Sequence, residues 1–156
     1  MMGLLHHPSC PELPRSPRMT VSTTSLVTGV DFVSVPTRDL PAAMDFYGEV
    51  LGLRRSSVWQ REGEEALGAE FETGNLTLGL IASERLGIPF QPNSVPIALR
   101  VDDVEAGRAQ LESRGIEFGA DTIDSGVCHM AHFRDPDGNA LMLHHRYAPR
   151  PEGANG

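Results

Sequence analysis

Cysteine is almost absent from this 156-residue chain: Cys10 and Cys128 are its two thiols. Two distant thiols leave no disulfide framework and suit a reducing cytoplasm. Long apolar runs are missing as well. The stretch from Leu76 to Ala82 is interrupted by Thr77 and Gly79 and falls far short of the ~20 residues that a membrane-crossing helix needs, so the chain reads as soluble with no membrane partner. No cluster of basic residues occurs either. With 21 Asp and Glu against 13 Lys and Arg, the formal net charge is −8, and nothing gathers positive charge to neutralise phosphates, which argues against nucleic acid as a partner. The amino end lacks the positive region of a secretory signal, and its one apolar stretch is the short Met1 to Leu5.

A hydrophobic content of 40% over this length is enough for one globular domain with a real core. That domain is expected over residues 29–147. Residues 1–28, rich in Pro, His and Ser at their start, read as a disordered leader within which Met19 would make a sensible shorter start. Residues 148–156 read as a disordered tail.

Within the domain one pattern occurs twice, over residues 29–84 and 95–147. The first copy opens with the alternating run Asp31 to Val35. Asp39 is then placed to cap a helix in which Leu40, Ala43, Met44, Tyr47 and Leu51 recur on one face, with Gly52 at its stop. In the second copy Ile97 to Val101 is the strand, Asp102 or Asp103 the cap, Val104 to Arg114 the helix and Gly115 the stop. Asp39 and Asp103 lie 64 residues apart. Three strand-like runs follow each helix: Leu53 to Arg61, Leu67 to Glu72 and Leu76 to Ala82, then Ile116 to Ile123, Cys128 to Arg134 and Ala140 to Arg146. Each module is therefore βαβββ. Such a unit cannot bury its own sheet, so the two copies are expected to pack together as an α+β domain.

The blocks Val35 to Leu53 (VPTRDLPAAMDFYGEVLGL) and Phe133 to Leu143 (FRDPDGNALML) resemble the vicinal oxygen chelate superfamily, the glyoxalase/bleomycin resistance/dioxygenase fold. The resemblance implies two tandem βαβββ modules whose curved mixed sheets enclose a shared cavity, and often a homodimer. It does not fix an activity. Members that do chemistry typically hold one divalent metal on His, Glu or Gln from the first, fourth, fifth and eighth strands. The corresponding positions here are Phe32, Gly79, Pro96 and Met142, none of them a hard donor. The expectation is thus no metal and no cofactor, with a divalent metal as the alternative.

Strand parity then nominates a pocket. On the last hairpin Met130, His132, Met142 and His144 should face the interior, and Ala131, Phe133, Leu141 and Leu143 the helices. Phe32, Ser34 and Arg100, with Trp59 and Phe71 as aromatic walls, complete a mixed cavity of the kind that takes small ligands. His132 and His144 are the candidate acid–base or hydrogen-bonding groups. A displaced metal site would use them with His129 or Cys128. Arg100 needs a partner, either a ligand anion or, within the fold, Glu70 or Glu72. The favoured function is metal-independent binding of a small flat or aromatic molecule. The alternatives are a metal-dependent lyase or dioxygenase with an atypical site, a metal-free acid–base enzyme using His132 or His144, and an accessory protein whose surface binds another protein.

Overall fold

The computed structural model describes residues 26–150. Most of the expected leader, residues 1–25, and the end of the expected tail, residues 151–156, lie outside the described residues. In order the elements are β1 (Phe32–Thr37), α1 (Leu40–Asp45), β2 (Arg54–Trp59), β3 (Gly68–Glu72) and β4 (Thr77–Ala82), then β5 (Ile97–Arg100), α2 (Val104–Glu112), β6 (Ile123–Asp124), β7 (Cys128–Arg134) and β8 (Ala140–Arg146). The sheets run β1-β4-β3-β2 and β5-β8-β7-β6. In each, the first strand is parallel to the last and the other pairings are antiparallel. This is an α+β protein of two tandem βαβββ modules, with curved sheets that do not close into a barrel.

Local chemistry sets the helix starts. Asp39 accepts the Ala42 N–H at 3.1 Å, and Asp103 accepts that of Ala106 at 2.8 Å, so each carboxylate satisfies an orphan donor of the first turn. Of the two candidate caps of α2, Asp103 is the one used. The expected single helix through Leu51 divides: α1 ends at Asp45 and residues Phe46–Val50 form a π turn, with Leu51 N–H on the Phe46 carbonyl at 3.0 Å. The widened turn lets the consecutive residues Phe46 and Tyr47 both bury, at 4% and 0% exposure. The expected strand from Ile116 to Ile123 shrinks to Ile123–Asp124. Upstream of it, side chains hold the segment: Phe118 packs on Phe133, and Arg108 stacks on Phe118 and donates to the Ala120 carbonyl at 2.9 Å.

One core serves both modules. Val35, Leu40, Tyr47, Phe71, Leu78 and Leu80 from the first join Val104, Leu111, Ala131, Phe133, Leu141 and Leu143 from the second. A buried polar latch adds direction to this apolar contact. Asp135 accepts the Tyr47 hydroxyl at 3.0 Å and the Asn139 amide at 2.7 Å, and that amide also donates to the Pro36 carbonyl at 2.8 Å. Beside it Asp137 takes Thr37 Oγ1 and the Arg38 N–H. Burial first, and then the Asp135 carboxylate, hold the Tyr47 hydroxyl protonated far above the ordinary phenol range. At the other end of the interface Arg114 donates to the Val50 carbonyl.

Candidate functional site

Alternation along the strands sorts the side chains between two faces. On the helix side of the second sheet Ala131, Phe133, Leu141 and Leu143 are all buried, as parity requires. The opposite face carries Met130 beside His144, His132 beside Met142, Met142 beside Ala98, and His144 beside Arg100 in the strand register. Of these, Ala98 and Arg100 are exposed and the others half-buried.

On the first sheet Phe32, Ser34 and Trp59 occupy the corresponding face. Two glycines floor it. A Cβ on Gly79 would stand 3.6 Å from Phe32 Cδ2 and 3.7 Å from Trp59 Cη2, so both rings border the space above that residue. A Cβ on Gly68 would come within 2.6 Å of Trp59 Cε3 and 2.5 Å of the Leu80 carbonyl, so the indole lies directly across Gly68. The result is an aromatic shelf, with Phe32 50% exposed and Trp59 half-buried.

Two expectations need correction. Phe71 is not a pocket wall: it is 1% exposed, pairs with Leu78 on the helix side and packs 6.1 Å from the Tyr47 ring. Neither carboxylate proposed for Arg100 meets it. Glu70 accepts from Ser57 at 2.5 Å and Glu72 from Thr77 at 3.2 Å, while the Arg100 guanidinium makes no hydrogen bond or ion pair among the described residues.

The resemblance assigns the family's metal ligands to four positions of this chain. Phe32, Gly79, Pro96 and Met142 bring one thioether and no oxygen or nitrogen donor to the four positions. Among the described residues no three His, Cys, Asp or Glu side chains gather to hold an ion. The displaced set does not assemble either. His129 packs 4.9 Å from the Tyr147 ring with Nε2 3.6 Å from Asp124, and the Cys128 sulfur lies 4.0 Å from Arg146 Nη1.

Two clefts border these faces. A cleft of about 1100 Å³ between the modules runs along the free edge of β5 and includes Arg100 and His144; one of about 690 Å³ includes His132, Pro96 and Phe118. Sequence reasoning missed three participants. Gly68 was read as strand, Gly79 as an empty ligand position with no account of the rings above it, and Arg150, which reaches the larger cleft, as tail. A glycine at alternate-strand spacing beside a tryptophan was the available signal for the first two.

Fold and motifs together define the class. The chain matches the Glyoxalase/Bleomycin resistance protein/Dioxygenase superfamily over residues 29–143, and it belongs to that superfamily. Among individual proteins it is 27% identical to a lactoylglutathione lyase of Schizosaccharomyces pombe, over 84% of this chain and 52% of the lyase, so it spans about half that relative's length. It is also 27% identical to TnmS3, an antibiotic binding protein from Streptomyces sp. CB03234, whose crystal structure superposes with a TM-score of 0.65 over 78% of this chain and 98% of that one. A glyoxalase-family protein from Bacillus anthracis, 21% identical, shares the fold with a TM-score of 0.67 over 80% of this chain and 99% of its own. No helix among the described residues is long and apolar enough to cross a membrane.

Proposed function

We propose that this protein is a metal-independent binder of a small flat or aromatic molecule, held against the open sheet faces. The observation that carries the reading is the shelf at Gly79. Where a catalytic relative would present a metal donor, this chain presents a bare backbone bordered by two aromatic rings. Planar π-faces stack in offset or tilted contact. The thioethers of Met130 and Met142 supply an adaptable apolar wall on the second sheet, and His132 and His144 supply polar handles. Neither imidazole has a side-chain hydrogen bond among the described residues, so each is free to meet a ligand. The resemblance to an antibiotic binding protein supports binding as the activity. The free, buried Cys128 suits a reducing cytoplasm, and the partly exposed shelf is suited to cover by a second copy of the chain.

Native mass spectrometry of gently purified protein tests this reading, because one spectrum reports oligomeric state, bound metal and any co-purified compound. The expected species is metal-free and carries an organic adduct that Trp59→Ala loses. One tightly held divalent ion per chain would overturn the reading in favour of a metal-dependent lyase, the activity of the Schizosaccharomyces pombe relative.

A further inference from the structure

The two modules are related by their 64-residue repeat, and the polar latch has a counterpart at the repeat-related position. Asp137, Gly138 and Asn139 correspond to Thr73, Gly74 and Asn75, and the backbone they grip, Pro36 to Arg38, corresponds to Arg100 to Asp102. Both glycines take the left-handed conformation, φ 95° at Gly74 and 88° at Gly138, so the hairpin tips match in backbone as well as sequence. Their contacts do not match. Asn139 and Asp137 bond across to the first module, whereas Thr73 turns back to its own Leu76 carbonyl at 2.6 Å and Asn75 meets only Thr73. A threonine stands where the latch has its Asp137 carboxylate. One half of the interface is therefore closed, and its counterpart remains open as the cleft of about 1100 Å³.

The charge of that cleft is unlike the rest of the chain. Among the described residues its lining includes Arg100, Arg146 and Arg150 but a single acid, Asp102, in a chain of net charge −8. Each of the other described arginines except Arg54 meets a carboxylate, a carbonyl, a ring or a sulfur. Among the described residues Arg100 and Arg150 meet none, and both sit on this cleft. Deeper in, the walls are Leu53, Leu76, Leu99 and Leu111. Guanidinium forks recognise carboxylates with paired hydrogen bonds, and an apolar wall behind them takes the body of the same molecule.

We infer that the open half of the module interface is a binding site for a small amphipathic carboxylate, its apolar body between the modules and its charge on Arg100 and Arg150. The site contains none of the residues of the aromatic shelf, although His144 borders both this cleft and the open face of the second sheet. Calorimetric titration of the full chain with 4-phenylbutanoate and with 4-phenylbutan-1-ol tests it. The carboxylate binds at least tenfold more tightly than the alcohol. Arg100→Gln, at an exposed position, weakens the carboxylate at least tenfold, and the double variant Arg100→Gln, Arg150→Gln weakens it further. Gln110→Trp, which fills the cleft from the exposed side of α2, abolishes binding of both compounds. Trp59→Ala leaves the carboxylate affinity within twofold. Equal affinity for acid and alcohol, no binding of the acid at millimolar concentration, or loss with Trp59→Ala while Arg100→Gln binds normally would each overturn the proposal. Matching thermal melts for all variants exclude misfolding as the cause.

Discussion

Gly68 determines how the chain's only tryptophan lies, because any side chain there must displace both the indole at 2.6 Å and the Leu80 carbonyl at 2.5 Å. A backbone oxygen does not yield as a flexible side chain does. Gly68→Ala is therefore expected to destabilise the protein by about 1–3 kcal/mol, as overpacking does, and to shift the emission of Trp59. Gly79→Ala makes ordinary contacts of 3.6 and 3.7 Å and should leave stability almost unchanged. Equal urea midpoints for the two variants would contradict this account. Adjacent residues of β8 divide in the same way. Leu141 is 0% exposed within the core, so Leu141→Ala should cost about 2–5 kcal/mol, whereas half-buried Met142→Ala should lose far less stability and act on ligand binding. This division was legible in the sequence because both residues lie on one strand of strict alternation. For Phe71 aromatic character alone suggests a wall, and its pairing with Leu78 across the Gly74 turn puts it in the core instead.

Among the elements, those with complete local signals were readable to the residue. The strands over Cys128–Arg134 and Ala140–Arg146 flank a hairpin whose Asp, Pro and Gly dictate the turn. Elements held by tertiary contacts were not, as with the segment before β6, where Gly119 interrupts the run and aromatic packing replaces the ladder. The stretch just after β8 is likewise tied down by contacts that no periodicity announces. Tyr147 and Ala148 both donate backbone N–H groups to the Val127 carbonyl at 3.2 Å, and the Tyr147 hydroxyl donates to Asp124 at 2.7 Å. The Gly126 N–H, followed by Tyr147, holds the Asp124 carboxyl below the usual carboxylate range. A carboxyl depressed in the folded state contributes stability that is present above its unfolded value and lost as pH falls through the folded one. Amide exchange at Tyr147 and Ala148 should therefore accelerate below about pH 3.8, the ordinary value, relative to the core amides of β8. Asp124→Asn should show that acceleration at neutral pH and no further step on acidification. An unchanged acid step in the variant would assign it to another group.

At the scale of the whole molecule, the modules share a core and a latch, so neither has a complete interior of its own. Asn139 makes this concrete. It is 0% exposed, and its side chain touches Asp135 in its own hairpin, the Pro36 carbonyl in the first module and, through Oδ1, the Asn93 N–H of the linker at 2.8 Å. Truncating it leaves the Pro36 carbonyl without that donor, the Asn93 N–H without its acceptor and one Asp135 oxygen with the Tyr47 hydroxyl alone, at about 1–3 kcal/mol for each buried group left unsatisfied. Because those groups belong to different modules, the loss is felt by both. Asn139→Ala is expected to lower the urea midpoint of the entire domain in a single transition. That transition should be reported identically by Trp59 fluorescence in the first module and by the His132 and His144 ring resonances in the second. Coincident curves are the mark of one cooperative unit. Two separated curves, with the second module melting first and Trp59 unmoved, would mean that the modules are stable independently and that the latch only orients them.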